Sequence, residues 1–127
     1  MIKPYLFVDQ TALMGRGVFT SEKIEADTVV EISPVIVMSG EDRAHLDKTL
    51  LHDYIFEWGQ NTDKCCMALG LIPIYNHSYN SNCEYIMDYD EDTIEVKAVR
   101  LIEKGEELTI NYNGDSNDET RLWFDAK

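Results

Sequence analysis

Apolar and polar residues alternate along this chain in short runs, most of them four to eight residues long. Residues 5–8 form a β-prone run that gives way to a loop closed by Gly15 and Gly17, after which Val18 and Phe19 resume extended structure. Residues 28–38 are rich in β-branched side chains and carry Pro34, a pattern that predicts either two short strands or one bent edge strand. Ser39 with Asp42 three residues on marks a helix start. A helix over residues 41–51 follows, with Leu46, Leu50 and Leu51 on its buried side. Residues 54–58 and 66–69 are ambiguous. Residues 84–88 and 93–99 alternate around Asp90-Glu91-Asp92 and predict a hairpin, and residues 108–112 a last short strand. The tail after Gly114 is polar until Leu122-Trp123-Phe124. Many short strands and few helices predict a mainly β domain. Residues 24–32 can also be laid over residues 102–110, 78 positions later, each a turn followed by a strand, which suggests two related halves.

At 127 residues the chain reads as one domain, residues 1–127. With 24 Asp+Glu against 11 Lys+Arg the formal net charge is −13, and 44 % hydrophobic residues are too many for a disordered acidic tail. A pI near 4.4 excludes direct nucleic-acid binding as the main role, because phosphate recognition needs a basic footprint. An acidic surface suits a cationic partner such as a lysine-rich peptide, or serves solubility alone. The charge is uneven: residues 84–127 hold 13 acids and 5 bases, residues 1–83 hold 11 and 6. Cys65, Cys66 and Cys83 are an odd set without metal-ligand spacing, so they read as small buried thiols, and no metal site is expected. The N-terminus lacks a signal-peptide pattern and no apolar run is long enough to span a bilayer, so the chain reads as soluble and intracellular, with no membrane partner.

Four segments carry candidate chemistry. Asp88, Asp90 and Asp92 begin like a calcium loop, but Thr93 and Val99 stand where Gly and Glu are required, so the run reads as a solvated hairpin tip. Gly15-Arg16-Gly17 is too short for a dinucleotide fingerprint, yet it allows a backbone to approach a ligand closely. Residues 75–83 (Tyr-Asn-His-Ser-Tyr-Asn-Ser-Asn-Cys) set amides, an imidazole and hydroxyls between two apolar stretches. In residues 105–112 a tyrosine, Tyr112, ends a buried-looking strand.

In combination, Gly15-x-Gly17-Val18-Phe19, Asn76-His77-Ser78 with Asn82, and Glu107-Leu108-x-x-x-Tyr112 resemble a SET domain in order and spacing, over about residues 5–124. The chain looks most like the minimal viral and bacterial SET proteins that lack flanking zinc domains, whose segments Asp53-Tyr54-Ile55-Phe56 and Met67-Ala68-Leu69-Gly70 also resemble. The resemblance implies a β-clip fold of several short-stranded sheets with a C-terminal pseudoknot. It places the motif-bearing core over about residues 5–114 and makes residues 115–127 a short flanking segment. It departs from the family at Ser81-Asn82, where Pro-Asn is usual, at Ile74-Tyr75, where larger members carry Arg-Phe, and in having no zinc-binding cysteine cluster.

The activity implied is methyl transfer from S-adenosylmethionine to a lysine ε-amine of a basic protein or peptide, a histone being one candidate. By resemblance, Arg16, Gly17 and Val18 lie against the cofactor through their backbone, and Asn76 and His77 hold its amino-acid and adenine portions. Tyr112 is the catalytic tyrosine near the transferred methyl, Tyr85 and Tyr54 line the lysine channel, and Trp123 or Phe124 closes the site. A homodimer is one way for so short a chain to complete the site. Two other readings predict different behaviour: a non-catalytic acidic SET-like module would capture a basic partner without cofactor, and a purely structural β-clip domain would bind neither.

Overall fold

A computed structural model of the chain describes residues 1–59 and 63–112. Strands β1 (Leu6–Gln10), β2 (Arg16–Thr20), β3 (Val29–Met38), β4 (Phe56–Trp58), β5 (Lys64–Ala68), β6 (Asn76–His77), β7 (Cys83–Asp88), β8 (Thr93–Ala98) and β9 (Glu107–Ile110) are joined by one helix, α1 (Gly40–Leu46), and two single 3₁₀ turns, Leu50–Asp53 and Ile72–Ile74. The hydrogen-bonded path runs β1-β2-β9-β7-β8-β3-β5-β4, with β6 paired to β9 off that path. The mainly β architecture is as the short alternating runs require.

Strand β8 shows why these segments are strands. Ile94, Val96 and Ala98 are fully buried, while Thr93, Glu95 and Lys97 between them are only half covered. It pairs with β7 through six residues, from Cys83 opposite Ala98 to Asp88 opposite Thr93. This is the expected hairpin, and the acidic run is its tip, with Asp92 at φ 52° and the Asp88 carboxylate accepting the N–H of Asp90 and Glu91.

Strand β3 resolves the ambiguity around Pro34 as one bent strand, but it is not an edge. Residues 29–34 pair with β8 and residues 35–38 with β5, so the strand passes from one sheet to the next where Pro34 supplies no N–H.

The helix expected over residues 41–51 is shorter. Ser39 caps it as predicted, accepting the Asp42 N–H at 3.1 Å, but it stops at Leu46. The Thr49 hydroxyl donates to the Leu46 carbonyl at 2.7 Å and accepts the Leu51 N–H at 3.2 Å, starting a separate 3₁₀ turn. The turn rotates the leucines out of register: Leu46 is half-buried, but Leu50 is 75 % and Leu51 41 % exposed. The predicted buried leucine face is therefore wrong for those two residues.

The echo between residues 24–32 and 102–110 is structural. Ile24 and Ile102 bond each other in both directions, at 2.8 and 2.9 Å. Three residues on, Asp27 and Gly105 both take positive φ, 69° and 86°. Their N–H groups donate to Ala98 and Thr20 respectively, each at 2.8 Å. The two segments make matching turns with equivalent hydrogen bonds. One of the two strands that follow is β9, the element on which the motif residues converge.

Strand β9 lies between β2, antiparallel to it, and β6 and β7, both parallel to it: Asn76 stands opposite Thr109, and His77 and Cys83 opposite Ile110. Asn82, only 2 % exposed, pins it. Its Nδ2 donates to the Glu107 carbonyl at 2.8 Å and to Glu106 Oε2 at 3.0 Å, and its Oδ1 accepts the Thr109 N–H at 2.9 Å. This is the juxtaposition of motif segments that the pseudoknot requires, and the turn survives with Ser81 in place of proline. The packed interior around it includes Val18, Val30, Ile72, Tyr75, Ile102, Leu108 and Ile110, all fully buried and each contributing about 1.5–3 kcal/mol for apolar side chains of this size.

Candidate active site

A cavity of about 290 Å³ opens where the β1–β2 loop meets the 3₁₀ turns and the end of β9. Its polar walls come from Gln10, Arg16, Asp53, Tyr54, Asn76 and Tyr112, its apolar ones from Met14, Pro73 and Ile74, with Gly15 at the loop. The Thr11 hydroxyl shapes that loop, accepting the Met14 N–H and donating to the Gly15 carbonyl, each at 2.8 Å. Of the residues expected at the site, Arg16, Asn76, Tyr112 and Tyr54 line the cavity. Gly17, Val18, His77 and Tyr85 do not. Val18 is wholly buried in the core. Trp123 and Phe124, like the flanking segment 115–127, lie outside the described residues.

Asn76 is 7 % exposed. Its Nδ2 donates to the Arg16 carbonyl at 3.0 Å and to Glu107 Oε2 at 2.8 Å, so it ties β2 to β9. Its Oδ1 makes no hydrogen bond among the described residues. Beside it, His77 Nδ1 accepts the Tyr112 N–H at 3.1 Å, which places the ring proton on Nε2. That Nε2 is buried without a partner among the described residues. The ring packs edge-on to Tyr79 with centroids 4.3 Å apart and lies tilted to Tyr112 at 5.1 Å.

Burial lowers the His77 pKa below the usual 6.5. Protonation also removes the acceptor that holds the Tyr112 N–H. Between the folded and unfolded values the unfolded chain binds more protons, so the contribution of His77 to stability is present above about pH 6.5 and is lost as pH falls through the lower folded value. Urea unfolding at pH 7.5 and pH 5.5 is expected to show a lower midpoint at the acid pH. A His77→Asn variant should lose part of that dependence, and identical slopes in the two proteins would remove His77 as its source.

Tyr112 follows the last residue pair of β9, so it is held by side chains rather than by the sheet. Its hydroxyl donates to the Tyr75 carbonyl at 2.9 Å, and its own carbonyl accepts the Tyr85 hydroxyl at 2.5 Å. Burial pushes the Tyr112 phenol up to about 12, helped by Tyr54, Asp53 and Glu107. Burial raises Tyr85 as well, with smaller contributions from Cys66 and Glu57. Both are neutral phenols at working pH, which suits hydrogen bonding and not proton abstraction. Phe56 meets Tyr85 edge-on at 5.4 Å and Tyr112 at 6.2 Å. Tyr85 thus stands with Phe56 against Tyr112, whereas Tyr54 stands on the cavity wall.

Sequence reasoning missed three contributors. Phe56 lies in the segment that resembles short SET proteins but carried no role of its own. Tyr75, fully buried, supplies the carbonyl for Tyr112 and donates its hydroxyl to Glu31 Oε1 at 3.0 Å. Glu31, also fully buried, takes the Ser33 hydroxyl at 2.7 Å and the Leu71 N–H at 2.9 Å on its other oxygen. A lone acid inside a β-branched run was the available signal. Burial raises the thiols of Cys66 and Cys83 to about 12, so neither is a thiolate at neutral pH. Among the described residues no group of acids, histidines and cysteines is placed to hold a metal. No helix among them is long and apolar enough to cross a membrane.

The parallel seating of an Asn-His segment beside a tyrosine-terminated strand, within a β-clip, defines the class of protein. A model of the SET domain matches residues 15–113, and the chain belongs to the SET-domain family. It is 36 % identical over 126 residues to "Histone-lysine N-methyltransferase, H3 lysine-37 specific" of Schizosaccharomyces pombe, covering 98 % of this chain and 80 % of that protein. A crystal structure of a Plasmodium falciparum protein described as a candidate histone methyltransferase superposes with a TM-score of 0.66 at 26 % identity, over 87 % of this chain and 95 % of the other. A chain of the humanized Chaetomium thermophilum Polycomb Repressive Complex 2 gives a TM-score of 0.70 at 22 % identity. The match covers 88 % of this chain but 15 % of that one, and shows a shared fold alone.

Proposed function

We propose that this SET-domain protein-lysine N-methyltransferase acts on a lysine in a basic segment, a histone tail being the leading candidate, and uses the cavity at Asn76 for S-adenosylmethionine. The observation that carries the cofactor reading is Asn76 on the wall of a cavity with both polar and apolar walls, next in sequence to His77, whose buried Nε2 has no partner among the described residues. An acceptor for an ammonium group and a donor for a ring nitrogen are what an amino-acid nucleoside asks for. Asn76 and the backbone at Arg16 would hold the amino-acid portion and His77 the adenine, with Gly17 and Val18 fixing that backbone from behind. When bound, the cofactor supplies an activated methyl group. Trp123 and Phe124 are assigned to closing the site. The likeness to the minimal viral and bacterial members rests on residues 53–56 and 67–70, and pairing of two copies is part of the same reading.

What the chain itself must do is present a neutral amine in line with the methyl. Free lysine has a pKa near 10.4. A channel walled by Tyr85, Phe56 and Tyr112 disfavours the ammonium by desolvation while the ring faces tolerate it on entry. By resemblance both Tyr85 and Tyr54 belong to that channel; the ring contacts support Tyr85, and the position of Tyr54 on the cavity wall supports a role where channel and cavity meet. The Tyr112 hydroxyl, its proton committed to the Tyr75 carbonyl, keeps lone pairs with which to orient the amine. Alignment of this kind supplies about 7–11 kcal/mol in favourable cases, and no protein base is required.

Incubation with labelled S-adenosylmethionine and histones or basic peptides is expected to give labelled lysine, and calorimetry to show cofactor binding. Absence of both overturns the reading. Capture of a basic protein with no cofactor dependence would favour the non-catalytic module. The net charge of −13 adds a second expectation. Raising salt should increase KM for a basic peptide more than KM for the cofactor, because exposed charges are screened within about 8–10 Å. Equal effects would return the acidity to solubility.

A further inference from the structure

We infer that Glu107 is a positioning residue that fixes which way the Asn76 amide faces, so that the cavity is offered an acceptor and not a donor; this rests on the cavity being the cofactor site. A carboxamide has one donating and one accepting end. The end of Asn76 turned toward the protein meets two oxygens, the Arg16 carbonyl at 3.0 Å and Glu107 Oε2 at 2.8 Å. Both can only accept. The reversed amide would set Oδ1 against the pair of them, so the NH₂ must face them. With both amide hydrogens committed there, Oδ1 is left to a ligand. It would take the ammonium of an amino-acid group and reject an acceptor.

The neighbouring glycine supports the same assignment. A Cβ on Gly17 would lie 2.3 Å from Glu107 Oε2 and 3.0 Å from Asn76 Nδ2. Gly17 does not line the cavity. Its lack of a side chain therefore makes room for the carboxylate, and the Gly-x-Gly signal divides: Gly15 turns the loop at φ 73°, while Gly17 clears space for the Glu107–Asn76 pair. Glu107 itself is held through its backbone, paired with Phe19 in β2 and bonded at its carbonyl by Asn82.

The test uses two ligands that differ in the amino-acid group. S-adenosylhomocysteine carries it, and 5′-deoxy-5′-methylthioadenosine keeps the nucleoside thioether without it. By calorimetry, Glu107→Ala is expected to weaken S-adenosylhomocysteine about tenfold, which is about 1.4 kcal/mol, and to leave methylthioadenosine within about twofold. Glu107→Gln retains an accepting oxygen and should recover to within about threefold of wild type. Gly17→Ala, which pushes the carboxylate aside, should reproduce the Glu107→Ala split, and it carries the test if Glu107→Ala does not fold. Equal losses for both ligands, no loss, or a Glu107→Gln as weak as Glu107→Ala would each overturn the inference. Failure of the wild type to bind either ligand would overturn the cofactor reading and this inference together, whereas wild-type binding with uniform variant losses overturns the inference alone.

Discussion

Tyr112→Phe is expected to lower turnover by about a hundredfold, the scale for losing one well-placed hydrogen-bonding group at a reacting centre, or about 2.7 kcal/mol in activation free energy. The substitution removes only the hydroxyl, which donates to the Tyr75 carbonyl and which we propose orients the reacting amine. The ring keeps its contacts with Phe56 and His77, and the backbone keeps its bonds from Tyr85 and to His77 Nδ1. Cofactor affinity and the far-ultraviolet circular dichroism spectrum should therefore stay close to wild type while kcat falls. A variant that turns over at the wild-type rate would take the hydroxyl out of the mechanism. One that loses cofactor binding as much as kcat would make its role structural.

Asn82→Ala should produce the largest loss of stability. The side chain is 2 % exposed and satisfies the Thr109 N–H and the Glu107 carbonyl, two backbone groups of the central strand β9. Alanine leaves both unmet in the interior, at about 1–3 kcal/mol each. Together that is roughly 3 kcal/mol and a fall in melting temperature on the order of 10 °C for a domain of this size. Thermal denaturation followed by circular dichroism measures it directly. A shift under about 2 °C would mean that β9 is held by its ladder bonds alone.

Much of this molecule is legible in its sequence. Alternation exposed the β7–β8 hairpin, most cleanly in β8, where every second residue is buried, because a strand with one face on the core must repeat every second residue. The repeat of residues 24–32 in residues 102–110 was legible because the two turns need the same backbone, down to a left-handed residue at Asp27 and Gly105. Asn76, Tyr112 and Arg16, which line the cavity, stand out in the sequence through their place in ordered motifs. What escaped was set by distant partners or by capping. Leu50 and Leu51 fit a helix by spacing, but Thr49 offers its hydroxyl to the chain and ends the helix first. Glu31 stands alone in a β-branched run with nothing in the sequence to name its donors, which come from Ser33, Leu71 and Tyr75, two of them some 40 residues away. Glu107 opens the Glu107-Leu108-x-x-x-Tyr112 motif, but nothing in the sequence shows that its carboxylate meets the amide of Asn76, 31 residues away.

The placement of β9 has a consequence for how the protein acquires activity. Leu108 pairs with Val18 across 90 residues of sequence, and the strand that carries Tyr112 can dock only after β2, β6 and β7 exist to receive it. Such non-local pairing forms late and slowly. The tyrosine, the Asn-His pair and the cavity wall are therefore assembled in the same event that completes the sheet. A chain still emerging from the ribosome, or one opened by partial unfolding, has no half-built site to act with. Methyl transfer then reports on the finished fold as a whole, and refolding rates followed by activity and by the last phase of sheet formation should coincide.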